Sequence, residues 1–245
     1  MSYPFEMDVR RDIVKAARLM HMRGLIGGHD GNISARVATD KIICTPSGVN
    51  KGFIDERNLV AIDMDGKVLR GTRQPSSEVK MHLAAYHARD NIRSIVHAHP
   101  PHCVACTLVG ISLMTPVVPE AAFLMGAVPT APYSTPGTDE VPDSIKPYIA
   151  DSEAILLARH GSVTFGGSVT EAYDRLEALE HIAQVLFLAH NLGRVQPLSP
   201  EELVRLQESV TSRGLPWRYP TSGPATADIA ETIVQRVLEE LRKGT

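Results

Sequence analysis

The sequence predicts a layered α/β or α+β fold around a mixed or antiparallel sheet. Short β-branched runs bounded by Asp, Gly, Pro and Asn read as strands and turns, and they interleave with stretches whose apolar residues recur at helical spacing. An Asp65-Gly66 pair between LVAIDM and KVL adds a hairpin signal.

Asp8 to Met22 reads as a helix: Asp8 can cap it, Ile13, Ala16, Ala17 and Met20 share a face, and Gly24 suits a left-handed C-terminal position. After the loop GLIGGHDGNIS, the runs ARV, KIICT, LVAID and GKVLR read as strands. PSSEVKMHLAAYHAR switches to helical period, with Val79, Leu83 and Tyr86 on one face and Ser76 or Ser77 available as a cap. SIVHAH returns to strand, and a short helix from Cys103 to Val109 follows the double proline. AVPTAPY and EAILLARHG read as two further strands. Ser168 and Glu171 form a capping box for a long helix closed at Gly193. Ser199-Pro200-Glu201-Glu202 opens another with the same chemistry, running to Gly214. No internal repeat and no domain boundary precede about Gly214, so residues 1–214 read as one domain and 215–245 as a tail carrying an amphipathic segment, ADIAETIVQRVLEELRK.

The chain has 245 residues, 43% hydrophobic and 22% charged, which is enough for a sizeable core and typical of a globular protein. Its net charge of -3 argues against nucleic acid or an anionic membrane as partner and leaves a small molecule or another protein. No apolar run approaches the ~20 residues that span a bilayer. The opening MSYPFEMDVRRD lacks the features of a signal peptide, so the expected compartment is the cytoplasm. Three cysteines, Cys44, Cys103 and Cys106, form no disulfide framework and suit reducing conditions.

Candidate chemistry centres on histidine. In a strand, residues i and i+2 share a face, so His97 and His99 can present both imidazoles to one point. Two histidines on a strand are also ordinary polar surface, and a metal site needs three or four ligands. His160 ends an apolar run beside Gly161, where it reads as a cleft group or a turn residue. Glu78 opens a helix, where an acid is also favoured by the helix dipole. Together these four make a donor set suited to Zn²⁺, with Co²⁺ or Mn²⁺ as alternatives. His82 and His87 read as surface or interface groups, and His29 and His102 as groups near a site. Cys103-Val104-Ala105-Cys106 has a redox spacing, but its apolar filling and the lack of a second pair favour packing.

Three loops suit an anion: GGHDGNIS with Gly31 and Asn32, TPSG with Ser47 and Gly48, and PSS with Ser76 and Ser77. Glycines expose N–H groups, hydroxyls add donors, and the last loop opens a helix. Such residues are also common turn formers.

In this order GNIS, TPSG, SSE, HAH with its following HC, APYSTPGT and RHG resemble the class II aldolase/adducin family, over roughly Asp8 to Leu192. The resemblance implies a single three-layer α/β/α domain around a mainly antiparallel sheet, assembled as a cyclic homotetramer with sites at subunit interfaces. It implies Zn²⁺ on Glu78, His97, His99 and His160, and a phosphate on Gly31, Asn32, Ser47, Gly48, Ser76 and Ser77. It further implies retro-aldol cleavage of a ketose 1-phosphate to dihydroxyacetone phosphate and an aldehyde through a metal-stabilised enediolate, with Glu78 carrying a proton. The family also contains decarboxylases of hydroxylated aromatic or sugar acids and non-catalytic adducin-like binding modules. One departure stands out: where a family aldolase places a catalytic tyrosine after its HxH, no tyrosine lies between His99 and Tyr133. Glu120 and Tyr133 are candidates to line the site, as is Tyr219 for the tyrosine that the family draws from a neighbour's C-terminal tail.

Overall fold

The computed structural model describes residues 3–220. Among these residues six α-helices surround one eight-stranded sheet: α1 Glu6–Met22, β1 Asn32–Ala38, β2 Lys41–Cys44, β3 Val60–Ile62, β4 Val68–Arg70, α2 Val79–Ala88, β5 Ser94–Ala98, α3 Pro101–Val109, β6 Thr130–Ala131, α4 Glu140–Ile149, β7 Ala154–Leu157, β8 Gly161–Gly166, α5 Val169–Leu192 and α6 Pro200–Ser212. Strand order is β4-β3-β2-β1-β5-β8-β7-β6. Every pairing is antiparallel except β6 with β7.

The two-residue period of a strand explains the layers. In β2, Ile43 faces one core while Ile42 and Cys44 face another, and in β5 Val96 and Ile95 divide the same way. The first core packs against α1 and α5 through Ile13, Ala17, Met20, Ala172 and Leu176. The second packs against α2 and α4 through Met81, Ala85, Tyr86, Ile145 and Ile149. A third group joins α3 to α5 through Cys103, Cys106, Leu179 and Ala183. The chain is therefore three-layered, helices over sheet over helices, with a mainly antiparallel sheet.

Local expectations met three physical exceptions. Helix α4 carries Pro147 in its interior, where proline normally stops a helix, and Pro142 in its first turn, so the run EVPDSIKPYI does not read as a helix in the sequence. The run GSVTFG of β8, in which Ser162 and Thr164 alternate with Val163 and Phe165 between glycines, is a strand buried on both faces that the sequence reading did not include. AVPTAPY contributes only the two residues of β6, since its prolines cannot donate to a ladder. One turn of π-helix, Ala121–Met125, was also unforeseen.

The segment just before Pro220 closes over this turn. Gly126, with φ of 74°, lies directly beneath the Arg218 carbonyl, and Tyr219 packs with Ala122 and Leu203. Arg218 also pairs with Glu153 (2.6 Å), a carboxylate shared with Arg89 (3.2 Å) and Arg175 (2.9 Å). The amphipathic segment after Pro220 falls outside the described residues.

Gly161 is where strand packing leaves least room: a Cβ there would press on the Ala98 carbonyl oxygen and the His99 ring. Gly161→Ala is expected to destabilise the fold by roughly 1–3 kcal/mol. Urea unfolding measures it, and an unchanged midpoint would show that the two strands part freely.

Candidate metal centre

Antiparallel pairing gathers distant segments at one end of the sheet. There β1 begins, β2 and β5 end, and the β7–β8 hairpin turns. Asn32 of β1 lies opposite His97 of β5, which lies opposite Val163 of β8. His99, just beyond β5, donates its backbone N–H to Leu25 (3.1 Å), and the prolines that follow start α3. His160 occupies the hairpin turn after Arg159, whose φ is 61° and whose N–H bonds to Thr107 Oγ1 (3.0 Å). Glu78 arrives from α2, where its N–H donates to Ser76 Oγ (3.2 Å).

The sequence-predicted ligands do converge. One donor atom from each of Glu78, His97, His99 and His160 lies within 4.8 Å of the others. Glu78 Oε2 is 3.2 Å from His97 Nε2, Glu78 Oε1 is 3.1 Å from His160 Nε2, and His97 Nε2 is 3.0 Å from His99 Nε2. The three rings meet edge to face, with centroids 4.8 to 4.9 Å apart.

The surroundings fix what these atoms offer. His97 is fully buried, and its Nδ1–H donates to the Ser162 carbonyl (2.9 Å), which leaves the Nε2 lone pair pointing into the cluster. That lone pair faces a carboxylate oxygen and a second imidazole nitrogen. Acceptors crowded in this way repel unless a proton or a cation lies among them, so the residues present fit a metal ion. Asn32 Nδ2 donates to Glu78 Oε2 (2.9 Å) and steadies the carboxylate from outside.

Burial raises the Glu78 pKa, but the His97 and His160 imidazoles outweigh it and hold the carboxyl far below the usual carboxylate range. Burial, with the charges of His97 and His160, pushes His99 down to about 3. Both groups are therefore ready as unprotonated ligands.

The anion-type loops adjoin this cluster. Ser47 N–H donates to Gln74 O (3.0 Å) and Ser76 N–H to Thr45 O (3.3 Å), which zips the TPSG and PSS loops together through a Pro46–Pro75 bridge. Ser47, Gly48 and Ser77 are exposed and Ser76 half-buried, whereas Gly31 and Asn32 are buried. Gly31 has φ of 69°, and a Cβ there would lie 2.7 Å from Ile26 Cγ2 and 2.9 Å from the His97 carbonyl oxygen. Only glycine suits that position. Glu120 and Tyr133 are exposed, and Tyr219 is buried among Ala122 and Leu203 of its own chain.

The other histidines sort by burial. His82, expected at the surface, is instead buried beneath the site, with Nδ1 on Ser34 Oγ (2.6 Å) and that hydroxyl on Tyr86 OH (2.8 Å). Its helical face points inward because Glu78 and His82 are one turn apart. His87 is exposed, and its Nε2 meets the Met64 carbonyl (2.9 Å). His102 pairs with Glu180 (2.7 Å), whose carboxylate also accepts the N–H groups of His102 and Cys103 and so caps α3. This settles the cysteine pair. Burial and then the Glu180 charge raise Cys103 and Cys106 above the ordinary thiol range, which is the reverse of a redox centre.

Sequence reasoning missed Lys51, a lysine only 2% exposed whose Nζ donates to His29 O (2.7 Å) and Val49 O (3.1 Å). It missed Asp30 as well, whose Oδ2 lies 3.8 Å from His99 Nδ1. Both follow glycines in the loops already singled out, and that position is their one signal in the sequence.

Comparison with known proteins gives the family. The family model described as the class II aldolase and adducin N-terminal domain matches residues 11–187. The chain is 34% identical over 181 residues to an L-fuculose phosphate aldolase of Methanococcus maripaludis, covering 74% of this chain and 97% of the relative. It is 33% identical over 187 residues to a 3-oxo-tetronate 4-phosphate decarboxylase of Escherichia coli, covering 75% and 88%. It is 31% identical over 207 residues to a 5-deoxy-D-ribulose 1-phosphate aldolase of Bacillus thuringiensis, covering 84% and 96%. A solved L-fuculose 1-phosphate aldolase superposes with a TM-score of 0.76 at 30% identity, covering 83% of this chain and 96% of that one.

A dependence on pH follows from the buried imidazoles. Burial, with the nearby His97 charge, sets His82 at about 3 as His99 is set, against 6.5 for a free histidine. Between those values the unfolded chain binds more protons than the folded one, so this stability is complete above pH 6.5 and is lost as pH falls toward 3. Urea titrations of metal-free protein are expected to show that decline, with a shallower slope in His82→Asn. An equally steep slope in the variant would mean that His82 is not held neutral.

Proposed function

Because the chain belongs to the class II aldolase and adducin N-terminal domain family and is a lyase of its aldolase type, we propose that it cleaves a short ketose 1-phosphate into dihydroxyacetone phosphate and an aldehyde. The observation that carries this reading is the meeting of Glu78, His97, His99 and His160 beside two serine- and glycine-rich loops.

Three imidazoles and one carboxylate suit Zn²⁺, with Co²⁺ or Mn²⁺ as alternatives. Bound there, such a cation supplies a Lewis acid that polarises the ketose carbonyl and balances the charge of the enediolate. The chain's own groups do the rest. Glu78 takes the proton from the hydroxyl on the carbon that becomes the aldehyde, the carbon–carbon bond breaks, and the electron pair stays on the three-carbon phosphate half. The same carboxyl can return a proton to that half, and its Asn32 hydrogen bond keeps it aimed throughout. Ser47, Gly48, Ser76 and Ser77, with Gly31 and the second Asn32 amide N–H, bind the phosphate through hydroxyl and N–H donors. Exposed Glu120 and Tyr133 are the candidates to line the site around the aldehyde half. The buried free thiols support a cytoplasmic setting, and no helix among the described residues is long and apolar enough to cross a membrane. Exposed Leu108, Val109, Phe187, Leu188 and Leu192 support a subunit interface along α3 and α5, as a homotetramer needs.

A second reading is decarboxylation of a phosphorylated sugar acid, since loss of CO₂ leaves an enolate for the same centre to hold. It is favoured by the missing tyrosine between His99 and Tyr133 and by the likeness to a 3-oxo-tetronate 4-phosphate decarboxylase.

A panel of ketose 1-phosphates and 3-oxo sugar-acid phosphates, assayed on metal-loaded protein, separates the two. Release of an aldehyde together with dihydroxyacetone phosphate from a ketose 1-phosphate is expected; CO₂ release from a 3-oxo sugar-acid phosphate, with no aldehyde from any ketose 1-phosphate, would replace the first reading by the second, since decarboxylation of a 3-oxo-tetronate 4-phosphate also leaves dihydroxyacetone phosphate. Glu78→Gln is expected to lower kcat by roughly 10²–10⁴ while the imidazoles still retain metal, as elemental analysis would show.

A further inference from the structure

Lys51 has an unusual environment for its charge. It lies in the 3₁₀ turn Lys51–Phe53 just after the TPSG loop, and the turn is started by Asn50, whose side chain accepts from Gly52 N–H (2.9 Å). The turn directs the lysine inward, where it is 2% exposed. Its ammonium bonds to one carbonyl from each of two glycine-bearing loops, His29 O in GGHDGN and Val49 O in TPSGV. An ammonium has three N–H donors, and these carbonyls engage two. Among the described residues no carboxylate forms an ion pair with it, and a buried cation without a counter-charge is costly. Asp30 and Glu78 are the acids whose fields reach it, and Glu78 is already committed to the imidazoles.

We propose that Lys51 is the cation of the anion site: it holds the loops of Gly31 and of Ser47–Gly48 together through their carbonyls, and it supplies the buried positive charge against which the substrate's phosphate binds. The assignment rests on the functional reading above, which requires an anionic substrate beside the metal cluster. It explains why a lysine is sealed under loops whose serines, glycines and Asn32 offer an anion only neutral donors. It also makes Lys51 a positioning and binding residue rather than one that exchanges protons.

The test uses inorganic phosphate as the probe, titrated calorimetrically into metal-loaded full-length protein, with Lys51→Met and Lys51→Gln beside wild type. Gln keeps N–H donors for the two carbonyls but lacks the charge, and it serves as the deciding variant if Met does not fold. Both variants are expected to keep their metal content while losing phosphate affinity by roughly tenfold or more, and to raise KM for the phosphorylated substrate more than they lower kcat. Wild-type affinity in both folded variants would overturn the assignment and leave the functional reading intact. Wild-type affinity in Lys51→Gln alone would reduce Lys51 to a pin between loops and overturn its role as counter-charge. Failure of the wild type itself to bind phosphate would remove the functional reading and, with it, the role of Lys51.

Discussion

Four lone-pair donors held within 4.8 Å of one another at the end of a sheet are the constraint on which the rest of this structure depends. The nitrogens of His97 and His99 approach to 3.0 Å, and both carboxylate oxygens of Glu78 abut imidazoles. Without a positive centre these groups repel, so the scaffold must hold them from outside. It does so with backbone: the register of β5 between β1 and β8, the Ser162 carbonyl on His97, and the β7–β8 turn under His160. The absence of a side chain at Gly31 and Gly161 lets these strands approach closely enough.

Around this centre the polar groups form two shells with different tasks. Asn32 orients the carboxylate directly, whereas Ser34, His82 and Tyr86 make a buried hydrogen-bonded chain beneath α2 that ties the helix carrying Glu78 to the strand carrying Asn32. Glu180 plays a comparable part on the other face, where it anchors the start of α3 immediately after His99. Movement of either helix would therefore shift a proposed ligand, and the buried hydrogen bonds oppose such movement.

Much of this was legible in the sequence because the signals were local. The HxH spacing, the glutamate after PSS and the histidine before Gly161 are each weak, but a strand alternates faces and a helix start exposes its first turn, so their convergence could be anticipated. The layered fold was legible for the same reason, since Ile42, Ile43 and Cys44 carry the two-faced pattern in three residues. What escaped depended on partners far along the chain. Lys51 reads as a solvated lysine until the loop of His29 closes over it, and His82 reads as a surface group until Ser34 is placed against it. Helix α4 was hidden by Pro142, which its first turn accommodates, and by Pro147 in its interior, which is tolerated through tertiary packing of Val141, Ile145 and Ile149.

The sheet ends in two very short strands, β4 with three residues and β6 with two, and β6 is flanked by Pro129 and Pro132. A strand edge recruits another chain only when it offers a run of unpaired N–H and C=O groups, and neither border of this sheet does. The molecule is thereby protected from growing by sheet extension at high concentration. The exposed apolar side chains of α3 and α5 lie instead on the helical layers.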